Sequence, residues 1–319
     1  MKNEINFISS YFEKKKSIRS DVLIIGTGRW AHIVITEILL NFENIKKIYI
    51  FGKKNKLLKD KFKNKYKAKL IYINSLSNIP QQIKNCIICN GNIKHLPTAI
   101  KLLNYNYNIL IEKPIIFKKF SQINNLIKVA QKKKLKLYLS LPFSYAFYIK
   151  SAHLKYGMNK NIRMVNLTWS DKMSNKETNF SKRIISFQKD NFYHFYSILR
   201  LLKLNKKIKF ENKNFFKKTK NFIKFSISNN MHVEFKTNQN AKKRIRLLKI
   251  KYSNKNELEI DFNIPHKPKI IFNKKPCKIY PSLSGKMLKY QLFSFFKKRN
   301  YRLHEFKYLK GLFKLLQQL

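Results

Sequence analysis

Four apolar residues run without interruption in Asp21-Val-Leu-Ile-Ile-Gly26. A short continuous run of this kind, bounded by turn residues, reads as a strand buried on both faces. Ile48 to Phe51, Leu70 to Ile73, Cys86 to Cys89, Ile109 to Ile111 and Leu135 to Leu139 repeat it. Between them, Ile33 to Leu40, Leu96 to Leu103 and Ile123 to Ala130 have the look of helices, and a Lys-rich helical stretch follows Phe51. Strands alternating with helices predict an α/β fold with a doubly wound parallel sheet, covered on both faces.

After about residue 150 the pattern changes. Ile162 to Trp169 is strand-like, Phe192 to Leu202 is helical, and from Phe222 onward strands alternate. With a turn at Ser253 to Glu257, Tyr252 faces Leu258, Ile250 faces Ile260 and Leu248 faces Phe262. That register also sets Lys251 against Glu259 and Lys249 against Asp261, so an apolar face and an opposite-charge face arise together. Gln291 to Lys297 and Tyr301 to Leu319 return to helix. The expected organisation is a polar extension over 1–19, a doubly wound α/β domain over 20–145, and an α+β domain over 146–319. The second domain is built on a mostly antiparallel open sheet, with the final helices packing back on the first domain.

Gly26-Thr27-Gly28-Arg29-Trp30-Ala31 follows the first strand and opens the first helix. This is the dinucleotide fingerprint of a Rossmann sheet, with Ala in its third small position. Gly26 permits the tight turn, Gly28 lets the backbone approach a pyrophosphate, and Ala31 allows close helix–strand packing. The second strand normally ends in an acid that bonds the adenosine ribose. Here Ile50-Phe51-Gly52-Lys53-Lys54-Asn55 has none. Lys53 suits a ribose 2′-phosphate, so NADP(H) is expected rather than NAD(H).

Ile109-Leu-Ile-Glu112-Lys113-Pro114 resembles the strand and EKP signature of the glucose–fructose oxidoreductase / inositol dehydrogenase (Gfo/Idh/MocA) family. Gly91-Asn92-Ile-Lys-His95 is similar to that family's turn after the fourth strand. Asp190-Asn-Phe-Tyr-His194 resembles its D-x-x-x-H motif on a helix of the second domain. The elements occur in family order over roughly residues 20 to 319. The resemblance implies an NAD(P)-dependent oxidoreductase with Lys113, Asp190 and His194 as its catalytic set. It further implies that Asn92, His95, Glu112 and Lys113 join the fingerprint and Lys53 around the cofactor. Ser197 stands where many relatives carry an acid, and Leu141-Pro142-Phe143 stands where many sugar-acting members carry a basic N-x-R segment. Chemistry agrees with these roles. Lys113 precedes a proline, which pushes its backbone toward an extended conformation at a strand end. Asp190 and His194 are four apart on one helix face, and a histidine titrates near neutrality and can exchange a proton as hydride moves.

Composition adds one puzzle. Sixty-nine Lys+Arg against 16 Asp+Glu give a formal net charge of +53. A nucleic-acid surface would cluster that charge, yet lysine is spread over almost every segment. Asn, Ile, Phe and Tyr are crowded in as well, as AT-rich codons would produce, so no specific nucleic-acid partner is expected. No apolar run approaches the roughly 20 residues of a membrane span, and the start has no secretory-signal pattern. Three cysteines fit a reducing cytoplasm. Cys86 and Cys89 are expected in the core, with no metal site. The expected partners are a small-molecule substrate and further copies of the chain, through the C-terminal sheet. Two other readings stay open: a reductase acting on a secondary-metabolite intermediate, and a non-catalytic cofactor-binding regulatory protein.

Overall fold

The structure, a computed structural model, describes residues 21–53, 69–157, 161–172, 186–205, 216–219, 222–228, 231–264, 267–278, 286–296 and 305–319. The N-terminal extension and the Lys-rich stretch after Lys53 lie outside them. The chain divides into two compact units. Among the described residues, 21–141 and 288–317 form one, and 142–287 with Gln318–Leu319 form the other.

The first unit holds six strands: β1 (Val22–Ile25), β2 (Lys47–Phe51), β3 (Lys69–Ile73), β4 (Asn85–Ile88), β5 (Asn108–Ile111) and β6 (Leu137–Leu139). They pair in the order β3-β2-β1-β4-β5-β6, all parallel. All four residues of β1 are buried, as a strand covered on both faces requires. Helices α1 (Arg29–Asn41), α2 (His95–Asn104) and α3 (Phe120–Lys132) follow β1, β4 and β5. The strand order reverses between β1 and β4, which are neighbours in space but not in sequence. Open α/β sheets bind ligands at such a switch point, outside the strands' carboxyl ends.

The second unit contains α4 (Phe147–Gly157), β7 (Ile162–Lys172), α5 (Phe187–Leu201) and strands β8 (Phe216–Thr219), β9 (Phe222–Ser228), β10 (Met231–Ala241), β11 (Ile245–Tyr252), β12 (Glu257–Asp261), β13 (Lys269–Phe272) and β14 (Lys275–Cys277). The eight strands form a mostly antiparallel sheet in the order β14-β13-β12-β11-β7-β10-β9-β8, with β7 and β10 parallel. α5 covers one face, where Phe195 stacks on Phe235 at 4.9 Å. Helix α6 (Met287–Phe296) lies at the return to the first unit, and α7 (Lys310–Gln318) follows within it. There Phe295 meets Tyr138, Phe296 meets Phe42, and Phe313 meets Phe117, all edge-on.

Three local readings are corrected. The β11–β12 hairpin pairs Leu248 with Ile260, Ile250 with Leu258, Lys249 with Glu259 and Lys251 with Glu257. This is two residues from the expected register, because the turn is tighter. Lys255 takes a left-handed φ of 64°, its N–H donates to the Tyr252 carbonyl, and the Tyr252 N–H donates to the Asn256 carbonyl. That is a three-residue hairpin loop rather than a five-residue one. A slide of two keeps every side chain on its expected face, and Lys249 still finds an acid, Glu259 at 2.6 Å. Second, no helix is expected from the sequence between Leu139 and Ile162, yet α4 begins at Phe147 after a 3-10 turn over Pro142–Tyr145. Tyr145, Ala146, Tyr148 and Ile149 are fully buried, so the segment has no polar face to betray a period. Third, the described part of 301–319 is a 3-10 turn over Phe306–Tyr308 followed by α7, not one helix. Its Phe306, Leu309, Phe313 and Leu316 are buried in the core.

Among the described residues, no helix is long and apolar enough to cross a membrane, and no cluster of His, Cys, Asp and Glu could hold a metal ion. Cys86 and Cys89 are free and buried. Burial holds both thiols well above their ordinary pKa, with the Glu112 carboxylate adding to the effect on Cys89. They are therefore poor nucleophiles.

Candidate functional site

The carboxyl ends of β1, β2, β4 and β5 bring together the residues of the first unit that the sequence singles out. Gly26 ends β1 at φ 112° and donates its N–H to the Phe51 carbonyl at 2.8 Å. A Cβ at Gly26 would lie 2.7 Å from the Cys89 carbonyl carbon and oxygen and 2.8 Å from the Asn90 nitrogen. The end of β4 presses on this turn, so only glycine fits. Gly28 is the N-cap of α1 and offers no capping side chain. Nothing lies within 4 Å of where its Cβ would be. An exposed N-terminus with open space above a glycine is what a pyrophosphate needs. Ala31 is fully buried behind it, while Thr27 and Trp30 are half-buried and Arg29 is exposed. These residues therefore fit a dinucleotide. Lys53 is exposed just past the end of β2.

Asn92 is exposed in the 3-10 turn after β4. His95, at the start of α2, is buried, with Nδ1 2.9 Å from the Pro114 carbonyl and Nε2 2.9 Å from the Asn90 carbonyl. Its ring thus straps the turn after β4 to the turn that follows Lys113. Glu112 and Lys113 are half-buried just beyond β5, and the Glu112 N–H donates to the Ile88 carbonyl at 2.9 Å. The neutral ring donates to one of these carbonyls, so His95→Ala orphans a buried acceptor and should cost about 1–3 kcal/mol of stability, read by urea denaturation. Burial lowers the His95 pKa, with the two carbonyls opposing. The unfolded ring takes up a proton near pH 6.5, whereas the folded ring resists. Its contribution is therefore fully present above that pH and is lost as pH falls through the lowered folded value. The stability gap between wild type and His95→Gln should be wider at pH 7.5 than at pH 5.

The second unit positions Asp190 and His194 on α5. Ser186 caps this helix, its Oγ accepting the Lys189 N–H at 3.2 Å. Asp190 lies in the first turn and His194 one turn on, both half-buried. Ser197 is buried and donates to the Tyr193 carbonyl at 2.8 Å. The His194 ring stacks on Trp169 at 4.9 Å and 16° and meets Phe143 edge-on at 5.1 Å. Phe262 touches both of those rings. On the other strand of the β7–β11 pair, Arg246 lies opposite Trp169 and sits 4.2 Å from its ring centroid. Arg246 donates to Asp171 at 3.1 Å. Sequence reasoning noted the motif histidine but missed Trp169, Arg246 and Asp171 around it. A signal was present: Trp169 is one of two tryptophans, and Asp171 is one of 16 acids.

A glycine turn at the switch point of a six-stranded parallel sheet is the arrangement of a dinucleotide-binding domain. Residues 20–141 match the Gfo/Idh/MocA model, described as an oxidoreductase family with an NAD-binding Rossmann fold. The match covers the strands, the glycine turn and the Glu112–Lys113 strand end of the first unit, and it gives that unit an NAD-binding Rossmann fold. No curated protein matches the chain by sequence. Among solved structures, the chain is similar to the UDP-N-acetylglucosamine 3-dehydrogenase GnnA of Acidithiobacillus ferrooxidans, at 10% identity and TM-score 0.69 over 94% of this chain and 96% of that one. It is also similar to the dehydrogenase MviM of Clostridium difficile, at 14% identity and TM-score 0.68 over 94% and 98%. A third is GenD2 from gentamicin A biosynthesis, solved in complex with NAD, at 11% identity and TM-score 0.69 over 94% and 92%. At these identities the likeness is one of fold.

Proposed function

We propose that this protein is an oxidoreductase that moves a hydride between a nicotinamide cofactor and a carbonyl, imine or secondary alcohol carbon of a small molecule. Lys113, Asp190 and His194 serve as its catalytic set. When bound, the cofactor supplies or accepts the hydride at nicotinamide C4. The turn Gly26-Thr27-Gly28-Arg29-Trp30-Ala31 would hold its pyrophosphate, and Asn92, Glu112 and Lys113 would hold its nicotinamide half. The Lys113 ammonium polarises the substrate oxygen. The His194 imidazole exchanges a proton with that oxygen, and Asp190, one turn earlier on α5, helps set the ring's protonation state. His95 acts through the backbone, holding the turn that carries Lys113.

The observation that carries this reading is the Gly26 turn. Its φ of 112° and its packing against Cys89 admit no side chain, and it sits at the switch point of the sheet.

The cofactor is NADP(H) rather than NAD(H), because Lys53 is exposed beyond β2 where an acid would otherwise reject a 2′-phosphate. NADPH should bind more tightly than NADH, and Lys53→Asp should reverse the order. Titration by nicotinamide fluorescence reads both affinities. Equal affinities in the wild type would sink the NADP assignment, and no binding of either would sink the function.

A further inference from the structure

We infer that the substrate carries an anionic group, a carboxylate or a phosphate, which Arg246 and Trp169 hold beside His194. This rests on the oxidoreductase reading, in which His194 is the proton-exchanging group. Trp169 separates the two functions. Its ring takes His194 at 4.9 Å and the Arg246 guanidinium at 4.2 Å. An anion on Arg246 is therefore one indole away from the imidazole, within the span of a single small molecule.

The electrostatics are unbalanced toward positive charge. Asp171 Oδ1 accepts from Arg246 Nη2 at 3.1 Å, and the same oxygen lies 3.8 Å from Arg244 Nε. Two guanidiniums thus share one carboxylate. Donors are also in excess. The Arg246 Nε–H and the Trp169 Nε1–H are both buried, and neither meets an acceptor among the described residues. Each such donor costs free energy in a folded chain unless an acceptor arrives. A carboxylate or phosphate brings several acceptor lone pairs and the missing negative charge, and guanidinium–oxyanion bonds are among the strong ones. The Arg246 side chain retains 15% exposure, so an incoming anion has an edge to engage.

The test uses Trp169 itself as reporter. With Trp30→Phe, it becomes the sole tryptophan of the chain. Its fluorescence is followed while the full-length protein is titrated with D-glucuronate, D-glucose 6-phosphate or D-glucose. A saturable change is expected with the carboxylate, the phosphate or both, and none with uncharged glucose. Which of the two responds identifies the anion. Arg246→Met, which keeps an apolar stem on the indole, should weaken that binding by about 10- to 100-fold. Asp171→Asn should tighten it, because the guanidinium loses its internal competitor, and a misfolded variant cannot produce that gain. An equal response to charged and uncharged sugars, no response at all, unchanged binding in Arg246→Met, or weaker binding in Asp171→Asn would overturn the inference. NADPH binding and turnover, measured on wild-type protein, report separately on the oxidoreductase reading. Cofactor binding without anion discrimination removes the inference alone. Anion binding without cofactor binding removes the function.

Discussion

His194→Ala should lower turnover by about 10²- to 10⁴-fold, the usual worth of general acid–base assistance, with cofactor affinity nearly unchanged. The reason is the division of labour between the units. The proposed cradle, Gly26 to Ala31 with Lys53, lies in the first unit, whereas His194 rides α5 of the second. Removing the imidazole also leaves a gap against Trp169 and Phe143, so some stability is lost with it. His194→Gln fills more of that gap without restoring proton exchange near neutrality. Turnover should stay low in both variants while circular dichroism shows the glutamine variant folded. Lys113→Ala should damage turnover and cofactor positioning together, and Asp190→Asn should shift the pH profile rather than abolish binding. A His194→Gln enzyme with turnover within threefold of wild type would remove the histidine from the mechanism.

The second large effect is expected at Gly26. Alanine there places a Cβ 2.7 Å from the Cys89 carbonyl, at a φ of 112°. Overpacking of this kind costs about 1–3 kcal/mol, and the backbone conformation adds roughly 1–2 kcal/mol for any residue with a Cβ. The neighbour is backbone of β4, not a flexible side chain, so the strain moves the turn itself. Gly26→Ala should therefore lower the urea midpoint and weaken NADPH binding by about 100-fold or more, since each 1.4 kcal/mol is a factor of ten. Gly28→Ala is the informative contrast. Its φ is −76° and nothing lies within 4 Å of the added methyl. Stability should hold, while binding should fall, because the methyl occupies the space that a pyrophosphate would enter. If Gly28→Ala binds NADPH normally, the phosphates do not lie over this turn.

How much was readable from the chain follows from where the information resides. The six strands of the first sheet were visible because a strand buried on both faces is apolar along its length, and Val22–Ile25 and residues 109–111 write that out directly. The fingerprint was visible because its work is local, within six residues of one strand–helix junction. The face assignment of the β11–β12 hairpin was visible for the same reason, since alternation is a property of each strand alone. Its register was not, because that depends on the left-handed residue Lys255, which no pattern of apolar positions encodes. The start of α4 was not visible because Phe147, Tyr148 and Ile149 are all buried and leave no polar position to mark a period there.

The surroundings of His194 belong to the tertiary structure entirely. The sequence by itself determined the parallel sheet, its nucleotide-binding turn, the strand end that carries Glu112 and Lys113, and the helical spacing of Asp190 and His194. Only the tertiary fold decided that Trp169 and Phe143 would pack on the imidazole, with Phe262 against both of them, and that Arg246 would lie opposite Trp169. It likewise decided that His95 would span two backbone carbonyls rather than face outward. The physical reason is range. Strand burial, turn chemistry and i to i+4 spacing act between neighbours in the chain, whereas the contacts that tune a side chain's charge and accessibility come from strands and turns brought together only when the sheet assembles.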